Sequence, residues 1–173
     1  MSKAFVREDA VEEPRIVPAR APLPPGVPNY VTARGLELLQ AERAELQAER
    51  ARLEQVPADT PEREEQLAGI AHRLAELDAR IATATVVDTR GQPRDQVRFG
   101  AWVTVRTAGG EERRYRIVGV DEADAAQGLV SFLAPIARAV LGRQLDDTVS
   151  LETARGAETL EIVDIEYDDG EPA

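Results

Sequence analysis

Apolar side chains recur on a helical period along two stretches separated by a proline-flanked turn, and this restricts the first half of the chain more than any other feature. Leu39, Leu46 and Leu53 stand seven residues apart, with Leu36 one turn before Leu39. Beyond the turn, Leu67, Ile70, Leu74, Leu77, Ile81 and Ala84 follow the alternating three-and-four spacing of a heptad seam without a break. Such stripes predict two amphipathic helices. Neither is long enough to hold well alone in water, so each must bury its stripe on the other. A short connection makes the pair an antiparallel hairpin, or short coiled coil. From Leu36 to Gln55, a rise of ~1.5 Å per residue gives an arm roughly 30 Å long. Thr32 is the expected N-cap of the first arm, and Val56-Pro57 the expected stop, because a residue preceding proline avoids the helical region.

The turn between the arms is acidic: Asp59-Thr60-Pro61-Glu62-Arg63-Glu64-Glu65. Asp59 and Glu62 have the spacing of a capping box, with Asp59 at the N-cap and Pro61 in the first turn. Acidic groups there also complement the helix dipole. A second reading is compatible with the first: a cap can fix carboxylates in place for another use.

The period changes after residue 96. Phe99, Ala101, Val103 and Val105 alternate with Gly100, Trp102, Thr104 and Arg106, which predicts a strand. Ala108-Gly109-Gly110-Glu111 predicts a hairpin turn, and the chain returns along Tyr115–Val120. Further strands are expected over 129–133, 148–153 and 160–167, with a short helix opening at Pro135. The expected class is α+β: a helical hairpin followed by an antiparallel sheet carrying one short helix. The expected divisions are a flexible proline-rich arm over 1–29, the hairpin over 30–86 with its tip near 57–66, a linker over 87–96, a sheet domain over 97–168 and a tail over 169–173.

Composition excludes several chemistries. The 173 residues contain no cysteine, so there is no disulfide, thiolate metal site or cysteine nucleophile. His72 is the one histidine, which rules out a histidine-centred triad; it falls on the solvent side of the second arm. With 21 basic and 32 acidic residues the net charge is -11, which argues against a general nucleic-acid coat. No apolar run approaches the ~20 residues that span a bilayer, and no signal peptide is evident, so a cytoplasmic monomer is expected.

Three motifs in the second half carry a family resemblance: Val97-Arg-Phe-Gly-Ala-Trp-Val103, Tyr115-Arg-Ile-Val-Gly-Val-Asp-Glu-Ala-Asp124 and Pro135-Ile-Ala-Arg-Ala-Val-Leu-Gly142, together with the closing Ile162-Val-Asp-Ile-Glu-Tyr167. In order and spacing they resemble the C-terminal domain of bacterial Gre transcript-cleavage factors, with Phe99-Gly-Ala-Trp102 closer to the GreB side. The resemblance extends in architecture and tip chemistry over about Tyr30 to Tyr167. It implies that the C-terminal domain is FKBP-like and docks on RNA polymerase at the β′ rim of the secondary channel. The implied docking residues are Asp121, Glu122, Ser131, Pro135, Ile136 and Ala137, with Ala134 where the family often has Ser.

The hairpin of the family passes down that channel towards the 3′ end of the nascent RNA. Its tip carboxylates help hold a Mg²⁺ shared with the polymerase active site, and the polymerase cuts backtracked RNA. The factor is then an accessory, not an enzyme. On this chain the implied catalytic positions are Asp59, Glu62 and Glu65, with Asp59 and Glu62 as Mg²⁺ ligands in the complex only. Carboxylates suit the task because Mg²⁺ prefers hard oxygen ligands. Arg43, Arg50, Arg73 and Arg80 are either ion-pair partners covering the seam or a stripe guiding extruded RNA.

Two departures from the family pattern stand out. Arg63 replaces an Asn and Gln66 a Tyr, and each arm is shorter by about one heptad, which retracts the tip by ~10 Å. Arg63 could pair with the tip carboxylates or with RNA phosphate. The alternative to cleavage is therefore a non-cleaving regulator of the same docking site. A prolyl isomerase is a third reading, suggested only by the FKBP-like fold.

Overall fold

The computed structural model describes residues 20–57 and 60–168. A two-residue strand, β1 (Tyr30–Val31), leads into helix α1 (Ala33–Glu54), followed by α2 (Pro61–Thr83) and β2 (Thr85–Val86). The sheet region follows as β3 (Trp102–Thr107), β4 (Glu112–Val118), β5 (Leu129–Ser131), helix α3 (Pro135–Val140), β6 (Thr148–Thr153) and β7 (Gly156–Glu166).

The helices run where the periodicity places them. Leu39 and Leu46 of α1 are buried with Ile70, Leu74 and Leu77 of α2, and Leu36, Leu53 and Ile81 pack at the margins. Contacts between Arg43 and Asp78, and between Arg63 and Leu53, pair the end of one helix with the start of the other, so the two are antiparallel. Each seam leucine that becomes fully buried stabilises the pair by about 1.5–3 kcal/mol, and this burial holds the helices together. Thr32 caps α1: its hydroxyl accepts from the Gly35 N–H at 2.9 Å. At the other end of the pair, β1 and β2 form a parallel two-stranded ribbon, Tyr30 opposite Thr85 and Val31 opposite Val86. This ribbon lies outside what sequence periodicity can show, because two-residue strands have no period to detect.

The main sheet has the order β5-β4-β3-β7-β6. It is not antiparallel throughout, as expected from the sequence: β4 and β5 are parallel, Arg116 opposite Leu129 and Val118 opposite Ser131. The reason is the excursion over 119–128, which turns at Gly119–Glu122 and again through a short 3₁₀ segment before β5. It brings the chain back beside β4 in the same direction instead of folding it over as a hairpin. A bulge in β7 shifts its register against β3 between Thr104 and Val105. That bulge explains a change of parity: Leu160 and Ile162 point inward on even numbers, Ile165 and Tyr167 on odd ones. The core comprises residues such as Val97, Val103, Val105, Ile117, Val140 and Ile162, with α3 packed on β6 and β5. The Tyr167 hydroxyl closes it, donating to the Gln96 carbonyl at 2.6 Å and accepting from the Arg98 N–H at 2.9 Å.

The expectation of a flexible arm over 1–29 needs correction for 20–29. Arg20 pairs with Asp121 and with Glu42, and the Ala21 carbonyl accepts from Arg80. Asn29 is buried, and its amide donates to the Arg80 carbonyl at 2.8 Å. Residues 1–19 and 169–173 of the expected arm and tail lie outside the described residues. The stretch 87–96, expected as a linker, is tied at both ends: Val87 N–H donates to the Val31 carbonyl, and Gln96 bridges to Gln144.

Candidate functional site

The tip is built by two helix ends meeting. Thr60, not Asp59, is the N-cap of α2: its backbone is extended and its hydroxyl accepts from the Arg63 N–H at 3.2 Å. Pro61 takes the first helical position, where its missing N–H costs nothing. This moves Glu62 to the second helical position, not the third that a capping box with Asp59 at the N-cap requires. Asp59 itself lies outside the described residues.

Glu62 and Glu65 are both exposed and three apart on α2, which places them on neighbouring positions of one face. Their charges lie at a helix N-terminus, where the dipole favours them. Arg63 turns the other way. Its Nε donates to the Leu53 carbonyl at 2.7 Å, and its Nη2 to the Glu54 carbonyl at 3.2 Å. These belong to the last turn of α1, where the Leu53 carbonyl also accepts from the Val56 N–H at 3.2 Å.

Hard oxygen donors fit a Mg²⁺ ion, but the described residues contain no group of three or more His, Cys, Asp or Glu that could hold a metal. Glu62 and Glu65 are oxygen donors of the kind Mg²⁺ prefers, but two carboxylates alone do not make a metal site.

The four arginines of the expected stripe do not share one role. Arg43 pairs with Asp78 across the helices at 2.8 Å, and Arg50 with Glu54 within α1 at 2.8 Å. Arg73 is half-buried on α2. Arg80 must be removed from any RNA-guiding surface: it is 8% exposed and lies 3.3 Å from Asp121. Its place near the end of α2 brings it to the junction with the sheet domain. His72, on the solvent side as expected, has Glu76 one turn away at 3.5 Å.

The expected docking residues also divide. Asp121 (side chain 9% exposed) and Glu122 (5% exposed) are not surface contacts. Asp121 lies between Arg20 and Arg80, while Glu122 accepts from the Thr32 hydroxyl at the start of α1. They join the sheet domain to the hairpin, and the negative pair lies close to a helix N-terminus. Ala137 is fully buried in the sheet core and cannot meet a partner through its side chain. Pro135 is exposed, and Ser131 and Ile136 are half-buried, so these three remain on an accessible face. The Ser131 hydroxyl accepts from the Leu133 N–H.

Several residues at the junction escaped sequence reasoning. Burial pulls the Arg20 guanidinium down, but hydrogen bonds from it to Glu42 and Asp121 outweigh this and hold it above its ordinary value. The rings of Tyr30, Phe99 and Phe132 form a mutual triad with centroids 5.8–6.0 Å apart. Gly119 allows the backbone of β1 to approach β4, since a Cβ there would lie 2.6 Å from the Tyr30 carbonyl oxygen. No local pattern marks contacts between residues about a hundred positions apart. Trp102 is half-buried on the outer sheet face with the Arg114 guanidinium 4.5 Å from its ring centre.

These parts define a two-part protein: an antiparallel helical pair with exposed carboxylates at one end, docked by its other end on a mixed sheet domain. The sequence model described as "Transcription elongation factor, GreA/GreB, C-term" matches residues 92–167. Transcription elongation factor GreB of Pasteurella multocida is 36% identical over 154 residues, covering 81% of this chain and 97% of that protein. The chain belongs to the GreA/GreB transcription elongation factor family. Because 154 aligned positions draw on only 81% of these 173 residues, the chain is gapped within that alignment. Transcription elongation factor GreA of Trichlorobacter lovleyi is 43% identical over 97 residues, covering 56% of this chain; the match spans 61% of that relative. A solved prokaryotic transcription elongation factor GreA/GreB from Nitrosomonas europaea is 22% identical, with a TM-score of 0.41 over 82% of this chain and 99% of that one. No described helix is long and apolar enough to cross a membrane.

Proposed function

We propose that this chain binds RNA polymerase at the secondary channel and stimulates cleavage of backtracked nascent RNA by the polymerase. The observation that carries the reading is the exposed Glu62–Glu65 face in the first turn of α2, at the end of the hairpin remote from the sheet domain. A 22-residue α1 at ~1.5 Å per residue separates that face from the junction by about 33 Å. The sheet region is read as the FKBP-like docking domain of the family, with Ser131, Pro135 and Ile136 facing the β′ rim. Asp59, Glu62 and Glu65 would hold or orient a Mg²⁺ shared with the polymerase. Such a metal, when bound, stabilises the charged oxygens of phosphodiester displacement. The protein itself contributes position and carboxylate charge, acting as an accessory factor.

Arg63 and Gln66, which stand where the family resemblance expects Asn and Tyr, favour a second reading, in which the hairpin occupies the channel without cleavage and regulates transcription. One assay decides between them. A stalled, backtracked polymerase complex is mixed with the protein and Mg²⁺, and RNA length is followed. Release of short 3′ fragments that vanishes with Asp59→Ala plus Glu62→Ala supports the first reading. Binding without shortening supports the second.

A further inference from the structure

We infer that Arg63 is a positioning residue of the tip: its guanidinium locks the last turn of α1 to the first turn of α2 and so fixes where Glu62 and Glu65 point. The inference deepens the cleavage reading and rests on it. Both ends of the residue are engaged. The backbone N–H donates to the Thr60 cap, and the side chain donates to the Leu53 and Glu54 carbonyls of the opposite helix. A cation at the C-terminus of α1 and carboxylates at the N-terminus of α2 are both favoured by the helix dipoles. Apolar packing does not supply this closure. The seam residues buried nearest the tip are Leu46 and Ile70, while Leu53 and Leu67 are only half-buried and Val56 is exposed. Beyond Leu46 only Leu53 packs at the margin of the seam, and the polar tie from Arg63 adds to it.

Arg is suited to that tie because its planar fork reaches two acceptors at once. The Asn that the family resemblance expects here has a shorter side chain with one amide group, and it lacks this reach. Metal ligands must be held to within a few tenths of an ångström to bind well. Loosening the tip therefore weakens Mg²⁺ use before it affects the chemical step.

The test uses the full chain with the stalled, backtracked polymerase complex, titrating Mg²⁺ with wild type, Arg63→Ala and Arg63→Lys. Arg63→Ala should raise the Mg²⁺ midpoint about tenfold, the low end of losses seen when a group supporting a metal ligand is removed. The rate at saturating Mg²⁺ should stay near wild type, and Arg63→Lys should restore part of the midpoint. Amide exchange in the isolated protein provides the second readout: Arg63→Ala should speed exchange at Glu62–Glu65 and leave Leu74 and Leu77 protected. An unchanged midpoint, or a fall in saturated rate at constant midpoint, overturns the inference while leaving the cleavage reading intact. Absence of cleavage by the wild type overturns the cleavage reading and this inference with it.

Discussion

Replacing Asp121 with Ala should uncouple the hairpin from the sheet domain. The carboxylate lies between two guanidiniums, Arg20 and Arg80, with side-chain exposures of 9%, 19% and 8% respectively. Removing it leaves two cations facing each other in a mostly dry junction. Breaking a buried pair in this way costs about 3–5 kcal/mol, far more than the net worth of the pair, because the abandoned charge stays desolvated. Arg20 keeps Glu42 as a second partner and some contact with water, so the lower end applies. The expected loss is about 3 kcal/mol, a factor of roughly a hundred in the folded-to-unfolded ratio. Urea unfolding measures that loss. A second readout is geometric. The chain contains no cysteine, so spin labels can be attached uniquely through Gln66→Cys and Glu152→Cys, both at exposed positions. In Asp121→Ala the distance distribution between these labels should broaden. A loss below about 0.5 kcal/mol, the scale of an ordinary surface substitution, together with an unchanged distribution, would refute the junction argument.

Two further predictions concern the cores. Leu77, 1% exposed in the hairpin seam, should cost about 3 kcal/mol when changed to Ala, within the usual range for a buried leucine; unfolding followed by far-UV circular dichroism checks this, and a loss below about 1 kcal/mol contradicts it. Burial raises the Tyr167 phenol above its ordinary 10.0, outweighing the Arg98 N–H that pulls it down. Its contribution to stability is therefore full below pH 10.0 and is lost as pH rises through the folded value, because the unfolded chain gives up its proton first. Stability of the wild type should accordingly fall more steeply above that pH than stability of Tyr167→Phe, and parallel curves would contradict the assignment.

The helices were legible because a heptad seam is a local signal that repeats. The strand at β3 was legible for the same reason, with Ala101, Val103 and Val105 inward as their alternation predicts. What escaped the sequence depends on contacts without local period. Asp121 and Glu122 look like residues of an acidic surface loop until the fold places Arg20, Arg80 and Thr32 against them. Arg80 looks like one more arginine of a polar face until the junction buries it. The cap of α2 was misassigned by one residue because Asp59 and Thr60 are both good caps and only the position of Pro61 separates them. Arg63 looked like a departure that weakens the tip. Its side chain donates to the Leu53 and Glu54 carbonyls at the end of α1.

The most direct test of the account is where the tip goes. An iron chelate attached through Gln66→Cys, one helical turn from Glu62, generates hydroxyl radicals that cut whatever protein chain lies nearby. In complex with RNA polymerase, the account predicts cuts clustered around the catalytic metal loop of the large subunits. Cuts confined to the rim of the secondary channel, with none at the catalytic loop, would contradict it.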